Sequence, residues 1–320
     1  MPVPLWNYQN DMQRKGAAGR LVWDCGQQTI VFGAEYGRNT LDENNYYGPV
    51  FGGPMVDVVP TQKEEMWGIY ANDTIRLHRL TLIPGLRYDH HSIAEDIWSP
   101  AIGATFQLSP ATLLRGEISR GFRTPPLFQL TLNPASLTEK IWSVQVGLES
   151  AAAKYFRVKV TLFHHVADNV WSLPQGAWVA QKGKRTGGEL EVETVSWHDF
   201  SLAANSTYVY TDYENNPTNK DDDHYQINVF LRYNNPRTVR AELYGHLQTW
   251  DENESPPSWN GSFNDMCWDL NISKEVMETT HTRTTFFISA HNLFNGSQYW
   301  DEALKNPNRW LEAGVRFHFD

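Results

Sequence analysis

The stretch LLRGEISRGFRTPPLFQL, Leu113 to Leu130, sets a β-strand directly against two consecutive prolines. LLRGEIS reads as strand, and RGFRTPP then places Phe122 and Arg123 beside Pro125 and Pro126. Proline cannot donate to a sheet ladder, and it pushes the residue before it into an extended conformation. The strand must therefore stop at this corner. What Arg123 does there depends on the rest of the chain.

Working outward, alternation with a period of two is nearly everywhere, and helical periodicity is almost absent. In KIWSVQVGLE, Trp142, Val144, Val146 and Leu148 share one face. In KYFRVKVTLFH, Phe156, Val158, Val160 and Leu162 alternate with Arg157, Lys159, Thr161 and Phe163. GELEVET and HYQINVFLRY behave alike. Such segments predict about sixteen strands, at 3–14, 19–25, 28–41, 63–77, 79–90, 97–107, 111–119, 140–150, 154–165, 186–196, 200–213, 223–233, 237–249, 262–273, 283–291 and 309–319. Many have ten or more residues, whereas strands of ordinary sheets average roughly five or six. About nine to eleven residues is what a tilted strand needs to cross a bilayer.

The links alternate too. Short turns near 26–27, 78, 109–110, 151–153, 197–199 and 234–236 are interleaved with longer loops at 42–62, 91–96, 120–139, 166–185, 214–222, 250–261 and 292–308. Outer-membrane barrels have this rhythm of tight periplasmic turns and large outer loops. Two exceptions are expected, a short link at 15–18 and a longer turn at 274–282. Alternation does not tell which face is inside: a soluble sandwich turns its apolar side inward, a transmembrane barrel turns it to lipid. Strand length, strand number and link rhythm favour an all-β, antiparallel transmembrane barrel.

Composition narrows the classes. The 320 residues include 13 Trp and 14 Tyr, with only 20% charged residues. No window holds the run of about 18 apolar residues that a spanning helix requires. A net charge of -10 without a basic cluster argues against a nucleic-acid partner. Cys25 and Cys267 have no metal-type spacing and are expected as free thiols. MPVPLWNYQNDMQRKG is not a signal peptide, so the chain is expected either to be cytosolic or to be a piece whose export signal lies elsewhere.

Three blocks in order carry a resemblance: YANDTIRLHRLTLIPGLRYDHHSI, then WSPAIGATFQLSPATLLRGEISRGFRTPPLFQL, then NPASLTEKIWSVQVGLE. They resemble the barrel of TonB-dependent outer-membrane receptors from about residue 19 onward. The family's Phe-Arg-x-Pro corner is matched by Phe122, Arg123 and Pro125. Its Asn-Pro-x-Leu stretch and following Glu are matched by Asn133, Pro134, Leu137 and Glu139. Asn292, Leu293 and Phe294, after the penultimate strand, resemble its last hairpin.

The resemblance implies a 22-stranded barrel, of which residues 1–320 are a portion incomplete at its N-terminal side and without the globular plug. It implies uptake of a scarce ligand such as an iron-siderophore or cobalamin, energised by TonB through that plug. The implied partners are outer-membrane lipid, TonB and a small molecule, with no cofactor. Two departures stand out: Asp320 follows Phe319 where an aromatic end is usual, and no His follows the Pro corner, which disfavours haem.

The outer-loop aromatics Tyr46, Tyr47, Trp171, Trp178, Trp250 and Trp259, together with Arg123, are the candidate ligand contacts, by stacking on a bulky ligand. Anchoring at the membrane interface is the bland alternative for the aromatics, and for Arg123 a purely structural bridge to loop carboxylates or carbonyls. Adjacent histidines on a strand face opposite ways, so His90-His91 and His164-His165 each supply one inward group at most, and no metal site is assigned. Asp221, Asp222 and Asp223 read as a solvated loop tip. No catalytic motif was found, and the chain is not read as an enzyme. A secreted carbohydrate-active β protein and a plug-free sixteen-stranded porin remain as alternatives.

Overall fold

The computed structural model describes residues 6–47, 55–127, 137–172, 179–214, 222–235, 237, 239–249, 265–278, 282–301 and 304–319. Every named element among them is a strand: β1 Trp6–Asp24, β2 Gln28–Tyr47, β3 Met55–Leu77, β4 Leu80–His91, β5 Ile97–Ser109, β6 Thr112–Arg123, β7 Glu139–Ser150, β8 Phe156–Ser172, β9 Val179–Thr194, β10 Phe200–Tyr213, β11 Asp222–Asn235, β12 Val239–Thr249, β13 Cys267–Glu278, β14 Thr282–His291, β15 Tyr299–Asp301, β16 Leu304–Lys305 and β17 Trp310–Phe319. Fifteen of them form one sheet in chain order, β1 to β14 and then β17, with β1 and β17 at its two edges. The small β15–β16 hairpin stands apart, inside the last long link.

The main sheet thus has fifteen strands where sixteen were expected. Residues 15–18 make no turn, because Arg14 to Ala18 continue the ladder opposite Asn39 to Glu35. A wall facing water tolerates charged and small residues inside a strand, so RKGAAG does not interrupt pairing. For the same reason the supposed turn at 274–282 shrinks, since β13 runs on to Glu278. With both exceptions gone, short and long links alternate throughout.

Register makes the two faces explicit. Leu80, Phe106, Leu114, Leu148, Val160 and Leu190 are successive partners across six strands. One residue along, Thr105, Arg115, Gly147, Thr161, Glu189, Thr207, Gln226 and Gln248 form a polar row across eight. Arg115 passes over Gly147 to donate to the Thr161 hydroxyl at 3.0 Å. A Cβ on Gly147 would lie 2.6 Å from the Arg115 side chain, so glycine is what lets the guanidinium cross.

The apolar row is uncovered. Leu114, Leu148, Leu162, Ile118 and Val146 are all exposed, and the buried apolar residues among those described are only Leu41, Ile97, Leu127, Cys267 and Ala290. The soluble sandwich requires a second sheet on this face, and none packs there among the described residues. The apolar face therefore meets lipid and the polar face lines the inside. Aromatics mark both levels of the outward face. Tyr88 lies between Trp67 and Trp98, with centroids 5.5 and 4.8 Å away. Arg120 lies over Trp142 at 6.0 Å. Near the short turns, Phe200 meets Tyr233 at 4.8 Å, beside the exposed Tyr155 and Trp197.

Asn292, in the motif after β14, folds the last outer link. Its backbone is left-handed (φ 47°), and its side-chain amide donates to the carbonyls of Gly296 and Pro307 at 2.9 and 3.0 Å. Asn306 and Gln298 complete the knot, Gln298 donating to the carbonyls of His246 and Asp265. Cys267 is buried beneath it and Cys25 is exposed in the first turn, both as free thiols.

Two outcomes follow. Val146→Arg, at mid-height on the outward face of β7, should cost about 2–4 kcal/mol in denaturant unfolding from lipid vesicles, while Gln145→Arg on the inner face should cost under about 1. Asn292→Ala removes two buried donors in a left-handed backbone and should lower the local opening free energy by roughly 1–3 kcal/mol, read as faster amide exchange across 296–306.

Candidate functional site

The Pro-Pro corner builds one side of a basin on the inner wall at the outer rim. β6 leaves β5 after Ser119, the last residue paired with that neighbour, yet stays on β7 until Arg123 faces Glu139. There the guanidinium donates to Glu139 Oε1 at 2.6 Å, closing the ladder with an ion pair. Pro125 and Leu127 are then buried, as is Thr138 where the chain returns. Asn169, left-handed in the irregular step of β8 between Ala167 and Val170, donates to the Thr138 carbonyl at 3.0 Å. The extra residue re-aims β8 just below the rim.

The basin encloses about 310 Å³ between the ends of β6, β7, β8, β9 and β10. Its chemistry comes from Phe122, Arg123, Glu139, His165, Arg185 and Tyr213. Arg185 and His165 are register partners, and Arg185 reaches the Tyr213 hydroxyl at 3.4 Å. Gly183 lets the Tyr213 ring lie flat on the wall, since a Cβ there would be 3.0 Å from the ring. Arg123 is neutralised by Glu139, whereas Arg185 has no carboxylate partner among the described residues. The result is a half-open cup with aromatic sides and a surplus of positive charge, suited to a planar or phenolic anion.

The outward side of the same rim is also tied. Lys140 pairs with Glu95 at 2.7 Å. Asp96, in the link after β4, accepts from the Tyr88 hydroxyl and from His90 Nδ1, each at 2.6 Å. These two hydrogen bonds, that of Tyr88 first, hold its carboxyl below the usual range.

Of the candidates read from sequence, Phe122, Arg123 and Glu139 come together at this basin. Pro125 is buried in the adjoining corner, and Asn292, Leu293 and Phe294 lie at the last link instead. Tyr46 and Tyr47 end β2, and Trp171 is next to last in β8; their side chains fall outside the described ones. Trp178, Trp250, Trp259, Asn133, Pro134 and Asp221 lie outside the described residues. Asp222 and Asp223 open β11, and Asp223 accepts from the Tyr208 hydroxyl at 2.7 Å. His164 bonds Thr186 on the outward face while His165 faces the basin. Arg185 and Tyr213 were not singled out from sequence. Their one legible signal is that each falls on the polar phase of its strand.

Residues 5–316 match the family described as TonB dependent receptor-like, beta-barrel. A segment of 117 residues, 33% of the chain, is 30% identical to the ferrienterobactin receptor of Escherichia coli (strain K12), covering 16% of that protein. Another of 166 residues, 51% of the chain, is 24% identical to the vitamin B12 transporter BtuB of Vibrio vulnificus (strain CMCP6), covering 26% of it. The crystal structure of the siderophore receptor PirA from Pseudomonas aeruginosa superposes with a TM-score of 0.74 at 20% identity, over 97% of this chain and 56% of that one. The chain therefore spans about half of a receptor whose fold it shares. Taken with the lipid-facing apolar surface, the match over nearly all its length means that the chain belongs to the TonB dependent receptor-like β-barrel family of the bacterial outer membrane.

Proposed function

We propose that residues 1–320 form most of the wall of an outer-membrane uptake receptor, a barrel domain incomplete at its N-terminal side. Strands added at the edges of β1 and β17 would close it, because unpaired backbone edges are not tolerated in hydrocarbon. Within the closed barrel a plug coupled to TonB would gate passage, as the resemblance implies. The function is transport of a scarce small molecule, with an iron-siderophore favoured over cobalamin.

The observation that carries this reading is the basin at the rim. Its Arg185, without a carboxylate partner among the described residues, its paired Arg123 and aromatic Phe122 and Tyr213 present cation and ring together, on the wall that faces the passage. Ferric catecholates and ferric citrate are anionic and complement such a wall. A receptor built for cobalamin gains little from an uncompensated guanidinium.

The test is binding of a ferric catecholate, ferric citrate and cyanocobalamin to the purified receptor, followed by quenching of tryptophan fluorescence. Arg185→Ala should weaken the anionic chelate about ten-fold, near 1.4 kcal/mol, and leave cyanocobalamin unchanged. Tight binding of cyanocobalamin alone would refute the anionic assignment. Growth on the chelate as sole iron source, lost when TonB is deleted, checks the coupling.

A further inference from the structure

A second polar group is shut away on the inner wall, on strands β2, β3 and β4. Asn39, Glu64 and His91 are 7%, 4% and 6% exposed. Asn39 and Glu64 are register partners, and His91 sits opposite Met66, two residues along. The Asn39 amide donates to Glu64 Oε2 at 2.8 Å. Beyond that bond, Glu64 Oε1, both ring nitrogens of His91 and Asn39 Oδ1 are buried without a hydrogen-bond partner among the described residues. Phe122 lies edge-on to the His91 ring at 5.5 Å. Arg14, opposite Asn39 in register, is exposed.

Leaving a buried donor or acceptor unmade costs about 1–3 kcal/mol for each group, more when it is charged. Buried groups of this kind call for an explanation, an ion or an ordered water among them. Glu64 Oε1 faces His91 Nδ1 across 3.5 Å, within ion-pair reach. That gap is wide for a hydrogen bond, which would close to about 2.7–3.0 Å. It is instead close to the edge of a tetrahedron about a metal ion with bonds of roughly 2.1 Å, which is ~3.4 Å.

We propose that Glu64 Oε1 and His91 Nδ1 hold a divalent transition-metal ion of the zinc class. Asn39 orients the carboxylate from behind through its other oxygen, the role of outer partners at metal sites. Among the described residues no third His, Cys, Asp or Glu joins them, and water would complete the coordination. Such a site ties β3 to β4 directly under Phe122, which lines the basin on its other side. The ion therefore stiffens the corner from below, whatever ligand the basin takes.

The experiment uses the receptor in detergent, stripped with a chelator and titrated with zinc chloride by calorimetry, with magnesium chloride as the hard-ion control. One zinc per chain is expected, with no magnesium heat. Glu64→Gln and His91→Ala should each weaken zinc at least ten-fold, and His90→Ala, on the outward face, should not. Heat-modifiable gel migration shows that each variant is folded. Anomalous scattering at the zinc edge from crystals of the unaltered receptor gives a reading independent of variants. A peak between Glu64 and His91 supports the site. No retained zinc, a peak elsewhere, a water without anomalous signal, or folded variants with unchanged affinity would overturn it.

Discussion

Backbone amides and carbonyls have no water to turn to inside hydrocarbon, so each must find its partner in the neighbouring strand. That demand explains the single continuous ladder, in which fourteen strands pair in chain order and β17 follows β14. It explains why the small hairpin of β15 and β16 stays out of the wall, in a link on the aqueous side. It also fixes side-chain geography, because a register slip of one residue would turn every leucine of the outward row into the lumen.

Once the ladder is satisfied, the two faces are free of each other. The outward face needs only apolar surface and interfacial rings, and it accepts Leu, Val, Ile, Phe or Trp almost interchangeably. The inner wall carries charge at little cost where its ion pairs stay wet: Arg87 with Glu35, Arg232 with Glu242, Lys159 with Glu191. Exposed pairs of this kind contribute roughly 0–1 kcal/mol each. Their value lies in setting the field along the passage rather than in holding the fold. Strands β2 and β3, at 20 and 23 residues, exceed what a bilayer requires, so they project past it.

The architecture was legible because period-two alternation, strand length and the rhythm of links are local signals. Orientation was not legible from alternation itself, since Val144 and Gln145 alternate identically in a sandwich and in a barrel; strand length, strand number and link rhythm decided it. The link expected at 15–18 is absent because Lys15, Gly16, Ala17 and Ala18 continue the ladder opposite Arg38 to Glu35. The corner of Phe122 and Arg123 was visible as a motif, but its partners were not all visible. Glu139 followed from the motif, whereas His165, Arg185 and Tyr213 reach the basin through three successive registers. Asn39, Glu64 and His91 are similarly spread over 53 positions of chain and meet only because β2, β3 and β4 pair antiparallel.

The prolines earn their place through what they prevent. β6 loses β5 at Ser119 while keeping β7 to Arg123, so its last turn of chain has one free side. A strand with one free side invites further pairing. Pro125 and Pro126 remove the donors that such pairing needs, and the ion pair of Arg123 with Glu139 pins the surviving side. Released from β5, Phe122 turns from the lipid phase of its strand toward His91 on the inner wall. One aromatic ring thereby borders both the basin and the buried polar group. Any ligand that moves the corner must move the packing over His91, and any ion held beneath must resist that movement.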